Sequence, residues 1–176
     1  MGDFKTLSID IGSTFGYCVG NNGVIMDSGE VTLSSGTAGK THPGHRWLRF
    51  QKWLGQYTDV QEILFEDVQF VTSAQQMKVY GALLGILQVF CLAHGIRMAS
   101  LTPGQIKKDF TGNGAAKKDV LCDVAIRLGW KHGVAGTMNN HNEVDAIALY
   151  WVTCVRRGVE PSFYAEQKYE IDNSDV

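Results

Sequence analysis

Three acidic positions stand where a chain can aim carboxylates into one crevice: Asp10, the pair Glu66-Asp67, and Asp145. Asp10 closes an alternating stretch, Lys5–Asp10, with Leu7 and Ile9 on one face and Ser8 and Asp10 on the other. Gly12, Ser13 and Thr14 follow at once, so the acid sits at a strand end beside a turn. Glu66 and Asp67 follow the apolar run Ile63-Leu64-Phe65. Alternation sends these two acids to opposite faces, so one of them can join Asp10. Asp145 borders the apolar stripe Val144, Ile147, Ala148, Trp151 and Val155. At about 100° per residue, His141 and Asn142 fall about 40° and 60° from Asp145, one turn earlier, with Glu143 nearly opposite. A His, Asn and Asp cluster against an apolar face is costly unless it binds something.

Such an oxygen-rich set suits Mg²⁺ or Mn²⁺ rather than zinc. Two such ions about 3.5–4 Å apart can activate a water and stabilise the leaving oxygen at a phosphodiester. No serine or cysteine nucleophile has an evident base beside it, so water is the expected nucleophile. His141 or Asn142 could complete the metal set. The imidazole is the stronger donor when neutral and could also carry a proton for the attacking water, so His141 is the expected fourth catalytic residue.

Basic residues supply the complement. Lys107-Lys108 precede the loop Thr111-Gly112-Asn113-Gly114, and Lys117-Lys118 follow it. Loop amides, a helix start and lysines together grip phosphate. Phe70, just past Glu66, and the aromatics of segment 45–57 are candidates to stack bases.

The elements that must position these residues read as follows. Strands are expected at Lys5–Asp10, Gly16–Gly20 and Val24–Ser28, with Glu30–Leu33 continuing the meander and Asn21-Asn22-Gly23 as a hairpin turn. Ser34–Gly44 reads as a loop and His45–Tyr57 as a helix carrying Trp47, Phe50, Leu54 and Tyr57 at helical spacing. A strand at Glu62–Val68 leads to the longest helix, Gln75–Ala93, with Met77, Tyr80, Leu84, Leu87 and Cys91 on one stripe and Gly95 as its stop. Ile96–Leu101 is another strand, Thr102-Pro103 opens a helical turn, and Lys117–Gly129 and His141–Arg157 are helices. This order predicts an α/β fold, a mixed five-stranded sheet flanked by helices. The domain is expected over 1–158, with 159–176 as an acidic, poorly ordered tail.

Composition agrees with a folded domain. The 176 residues are 44% hydrophobic and 10% aromatic, which excludes disorder as the main state. No apolar run is expected to reach the ~18 residues that cross a bilayer; segment 79–93 comes closest, with Gln88 inside it. Asp3 and Asp10 stand where a signal peptide would lie, so no membrane role and a cytoplasmic location are expected. Segment Arg97–Lys131 holds seven basic against three acidic residues, while five acids crowd the end of the chain. This distribution is compatible with nucleic acid. The four cysteines, Cys18, Cys91, Cys122 and Cys154, form no CxxC pair and read as core thiols.

The motifs, taken in order, resemble the RuvC-type Holliday junction resolvases of the RNase H-like nuclease superfamily. The resemblance runs from about Leu7 to Thr153. It is carried by Ser8-Ile9-Asp10-Ile11-Gly12-Ser13, by Leu64-Phe65-Glu66-Asp67-Val68, and by Leu101-Thr102-Pro103-Gly104-Gln105-Ile106-Lys107. It continues through Gly112-Asn113-Gly114 and Ala116-Lys117-Lys118-Asp119-Val120 to Asn142-Glu143-Val144-Asp145-Ala146-Ile147-Ala148-Leu149. The resemblance implies an RNase H-like fold and Asp10, Glu66 and Asp145 as the carboxylate set. The family's basic residues before and after the glycine loop fall on Lys107 and on Lys117 or Lys118; with Ser13, Phe70, Lys108 and Asn113, Lys107, Lys117 and Lys118 are the expected DNA contacts. The resemblance further implies a Mg²⁺-dependent endonuclease, with Mn²⁺ able to substitute and two ions per site, acting on four-way or branched DNA. A homodimer through the 75–93 helix is implied as well. Asn142 holds the register where the family often has Asp or His. The compact chain and divergent 34–60 region look like a phage-encoded member.

Two other classes share parts of this pattern. Asp10-Ile11-Gly12-Ser13-Thr14 also resembles the first phosphate turn of actin-like sugar kinases, which need a second domain and a second glycine loop. A non-catalytic junction binder has no need of three converging carboxylates.

Overall fold

The computed structural model describes residues 4–33, 42, 44–68, 73–131 and 141–164. Phe70, expected to contact DNA, lies outside these residues. The described strands are β1 (Lys5–Ile9), β2 (Thr14–Asn21), β3 (Val24–Thr32), β4 (Glu62–Glu66), β5 (Arg97–Leu101) and β6 (Ser162–Phe163). The helices are α1 (Gly44–Leu54), α2 (Ala74–His94), α3 (Pro103–Thr111), α4 (Lys118–Arg127) and α5 (His141–Arg156).

One mixed sheet is built in the order β5-β4-β1-β2-β3-β6. β1, β2 and β3 form an antiparallel meander, and β4 and β5 add in parallel beside β1. The hairpin turn falls at Asn22-Gly23, both at positive φ. β2 and β3 are longer than expected, because Thr14–Asn21 pairs along nearly its whole length with Val24–Thr32. The sheet has six strands, not five. Beyond Pro161, Ser162 and Phe163 pair in parallel with Val24 and Ile25, so the fold continues past residue 158.

Strand alternation splits the core into two layers. Leu7, Ile9 and Ile63 pack with Phe50 and Leu54 of α1 and Leu83 and Leu87 of α2. On the opposite face, Cys18 and Leu64 pack with α3, α4 and α5. Ser8 and Asp10 share this second face of β1.

α2 buries Val79, Leu83, Leu87, Phe90 and Cys91, a stripe offset from the expected one, and Met77 is 58% exposed. The helix is apolar on both sides, so periodicity could not select the inward face. Contrary to expectation, it is long and apolar enough to cross a membrane by length and composition, with an 18-residue window of mean hydropathy 1.5. Its buried stripe is packed against the sheet as part of the domain core. Gly95 caps it in the left-handed conformation at φ 67°. Thr102 and Gln105 form a capping box at the start of α3, with Pro103 at its first turn.

α5 is the central helix and is buried nearly all round, between the sheet and α3 and α4. Val155, expected in its apolar stripe, is 56% exposed. Glu143, expected to face away, is 1% exposed. Its Oε1 accepts hydrogen bonds from Ser28 Oγ at 2.7 Å and Trp130 Nε1 at 3.1 Å. Two glycines of β2 let α5 approach the sheet. A Cβ on Gly16 would lie 1.7 Å from the Asn142 carbonyl oxygen, and one on Gly20 would lie 2.2 Å from the Tyr150 ring.

Candidate active site

β1 and β4 run parallel, with Ile9 opposite Phe65. One residue further along each strand come Asp10 and Glu66. The two carboxyls lie close enough to interact with each other. Asp145 arrives from the second turn of α5, which is tied to β1 by a hydrogen bond from Ser8 Oγ to the Ala146 carbonyl at 2.8 Å. The three carboxylates that the sequence singles out are thus brought together at one sheet edge. Asp67 is held apart by strand alternation; its N–H donates to the Leu101 carbonyl at 2.9 Å.

Burial pushes the Asp10 carboxyl well above the usual carboxylate range, and the charges of Glu66 and Asp145 push it further. Burial likewise raises Glu66, opposed by its interaction with Asp10 and by the Lys107 and Lys118 charges. Lys118, the first residue of α4, places its Nζ 2.9 Å from Asp145 Oδ2. Burial lowers the Lys118 ammonium, but Asp145, Asp10 and Glu66 outweigh it and hold it charged.

The other candidates divide. His141 opens α5, and its Nδ1 lies 3.7 Å from Cys122 Sγ. Cys122 is only partly buried, packed against the core formed with α3, α4 and α5; burial raises its thiol, and the nearby Asp145 charge raises it further. Asn142 donates its amide to Glu30 Oε2 of β3 at 2.8 Å, so its nitrogen is engaged away from the three carboxylates. Lys107 reaches the site as a charge felt by Glu66. Lys108 and Lys117 are exposed on either side of the glycine loop. Asn113 shapes that loop, its Oδ1 accepting from the Ala115 N–H at 3.0 Å.

The turn after Asp10 forms one wall of a cleft of about 630 Å³, where Gly12, Ser13 and Thr14 face Arg46 of α1 and Gln75 and Tyr80 of α2. A Cβ on Gly12 would lie 2.8 Å from the Thr14 carbonyl oxygen, so the tight turn requires glycine there. Tyr80 braces the strand below Glu66, its hydroxyl donating to the Glu66 carbonyl at 3.1 Å. Neither Arg46 nor Tyr80 was singled out by sequence. Arg46 carries no spacing signal, and Tyr80 reads as one more apolar position on a helix that is apolar throughout.

A family-wide sequence comparison matches residues 7–150 to RuvC, the crossover junction endodeoxyribonuclease. The chain belongs to the RuvC family. Its enzyme class is accordingly that of a crossover junction endodeoxyribonuclease, a nuclease of DNA recombination, and RuvC-family nucleases depend on a divalent metal. The structure of Thermus thermophilus RuvC matches with a TM-score of 0.63 at 20% identity, over 89% of this chain and 98% of that one. T. thermophilus RuvC in complex with a Holliday junction substrate matches with a TM-score of 0.63 at 23% identity, over 90% and 99%. The yeast mitochondrial Holliday junction resolvase Ydc2 matches with a TM-score of 0.64 at 13% identity, over 88% and 81%. These likenesses are of fold. No curated protein sequence matches the chain significantly.

The residues present here fit a hard divalent cation. The donors at the sheet edge are carboxylate oxygens, the ligands Mg²⁺ and Mn²⁺ prefer. Their mutual repulsion, evident in the raised Asp10 carboxyl, is what a bound cation relieves. Among the described residues, no three His, Cys, Asp or Glu side chains already form a metal-ligand group. Asp10 faces Glu66, and Asp145 is paired with Lys118.

Proposed function

We propose that this protein is a Mg²⁺-dependent endodeoxyribonuclease that resolves Holliday junctions and other branched DNA by water attack on phosphodiesters. The observation that carries the reading is the convergence of Asp10, Glu66 and Asp145 at one sheet edge beside Lys107 and Lys118. Asp10, Glu66 and Asp145 would hold two ions, with Mn²⁺ able to replace Mg²⁺. When bound, such ions supply an activated water and offset charge on the scissile phosphate. Lys107, Lys108, Lys117 and Lys118 bind backbone phosphates, and the glycine loop between them lets the duplex approach. His141, one helical turn before Asp145 on α5, accepts the proton of the attacking water and passes it to the departing oxygen.

The enzyme acts as a homodimer through the outer face of α2, in the cytoplasm. Met77, Val89 and Leu92 on that face are 58%, 68% and 86% exposed. Among the described residues, a Cβ on Gly81 or Gly85 would meet nothing within 4 Å, so another helix has room to approach closely. An apolar, uncovered stripe of this kind marks an interaction surface. Two active sites on a twofold dimer would cut two strands of a four-way junction.

The test is incubation of a labelled four-way junction with and without Mg²⁺. Paired nicks that require the metal, lost in Asp145→Asn while junction binding persists, support the reading. Metal-independent cutting, or wild-type cutting by Asp145→Asn, sinks it. Binding without any cutting would instead favour a junction-holding protein.

A further inference from the structure

We propose that Lys118 serves as a stand-in cation in the DNA-free protein, competing with the divalent ion for Asp145 until a phosphate draws the ammonium away. The inference rests on the metal-dependent reading above and adds a role for one residue in that site. Three independent features of Lys118 lead to it.

Its position is unfavourable for a lysine. Lys118 is the first residue of α4, where the helix dipole favours negative charge. Lys117 before it makes no side-chain cap to the first-turn amides. A specific partner, Asp145, helps to offset the cost of a cation there.

That partner is one of the three carboxylates proposed above to hold the ions. Lys118 Nζ lies 2.9 Å from Asp145 Oδ2, with the Asp145 side chain only 15% exposed. The ammonium occupies a carboxylate oxygen that would otherwise point at a cation. Asp10 and Glu66 feel the same charge, since Lys118 opposes the rise of both carboxyls. One ammonium thus partly neutralises all three carboxylates. The partners are not equally fixed: the Lys118 side chain is 49% exposed, on a flexible four-carbon stem that can swing to a phosphate within its reach.

Two consequences follow. Without DNA, metal binding has to displace the ammonium, so ion affinity is weaker than the carboxylates alone would give. With DNA, the scissile-strand phosphates offer Lys118 an alternative partner, and the ion and the substrate bind with positive coupling. The residue that grips phosphate therefore also restrains metal loading until substrate is present.

The test is Mn²⁺ binding to the full chain without DNA, read by calorimetry and by the loss of the free-ion paramagnetic resonance signal. Lys118→Met keeps most of the stem and removes the charge. It should bind Mn²⁺ about fivefold more tightly than wild type, the scale of a partly exposed ion pair. Lys118→Arg should bind as wild type does, showing that charge and not packing is responsible. Mn²⁺ should also raise the melting temperature of Lys118→Met more than that of wild type. Unchanged or weaker Mn²⁺ binding by a folded Lys118→Met, in a preparation whose wild type cuts junctions, overturns the competition while leaving the nuclease reading intact. A wild type that neither binds Mn²⁺ nor cuts would overturn both.

Discussion

Ser8 and Ala146 are 138 residues apart in the chain, and the Ser8 hydroxyl donates to the Ala146 carbonyl at 2.8 Å. Ser8 is fully buried. Each partner lies close to a site carboxylate: Asp10 is two residues past Ser8, and Asp145 immediately precedes Ala146. The bond fixes the distance between β1 and α5 where the carboxylates must meet.

Ser8→Ala should cost about 1 kcal/mol of stability, the net worth of one buried hydrogen bond. Because α5 loses its tether beside Asp145, cleavage should fall several-fold with junction affinity unchanged. Urea unfolding and single-turnover cleavage measure the two effects. A variant that loses stability but cuts normally would show the bond to be structural only.

Gly16→Ala should be far more damaging. The added methyl would lie 1.7 Å from the Asn142 carbonyl oxygen and 2.5 Å from the Glu143 nitrogen. Both are backbone atoms of α5, so the helix must move. A loss of about 3 kcal/mol or more is expected, read as a shift in the urea midpoint. A midpoint near that of wild type would mean that α5 sits further from β2.

The raised Asp10 carboxyl predicts a pH dependence of stability in metal-free buffer. An acid whose folded-state pKa lies above its unfolded value keeps its proton in the folded protein after the unfolded chain has released it. Stability is then greatest below the ordinary carboxylate value and falls as pH rises through the folded-state pKa. In EDTA, the wild-type urea midpoint should decline across that window, and Asp10→Asn should show a shallower decline. Mg²⁺ should restore stability at the higher pH in wild type alone. Parallel curves for the two proteins would remove Asp10 from a repulsive cluster.

His141 and Asn142 are separable. Asn142 is engaged with Glu30, whereas His141 stands with Cys122 near Asp145. His141→Ala should lower the cleavage rate at saturating Mg²⁺ at least tenfold, about 1.4 kcal/mol of barrier. Asn142→Ala should cost less, and its main effect should be on stability through the lost Glu30 bond. If Asn142→Ala is the slower enzyme, Asn142 and not His141 completes the site.

Gly81→Ala and Gly85→Ala address the outer face of α2. Neither methyl meets anything within 4 Å among the described residues, so each should stabilise the helix by up to about 1 kcal/mol. The same methyls would hold a partner helix away. Sedimentation should show weaker self-association together with a higher unfolding midpoint. Unchanged association would place the dimer contact elsewhere.

Much of the site is legible in the one-dimensional pattern, because its parts sit at element ends. Alternation over Lys5–Asp10 puts Ser8 and Asp10 on one face, and the apolar run before Glu66 makes it a strand terminus. A residue at a strand end has its direction set by period 2 alone. Helix starts and stops were legible for the same local reason: Gly95, Thr102-Pro103 and the Asn22-Gly23 turn act within a few residues of themselves.

What the pattern left open was every choice that depends on what covers a surface. The inward stripe of α2 could not be read from a helix apolar on both sides, and Met77 was misplaced for that reason. Helical spacing sets Glu143 nearly opposite Asp145, away from the apolar stripe; Ser28 and Trp130, on other elements, give it partners inside. The two-residue β6 carries too few residues to show a period, and only the open edge of β3 makes it a strand. Sequence alone determined which residues could do the chemistry, since residue type and local periodicity are carried by neighbours along the chain. Tertiary structure alone decided which of them meet. The approach of α5 over Gly16 and Gly20, the Ser8 tether and the seat of Lys118 on Asp145 all join residues whose proximity no local rule encodes.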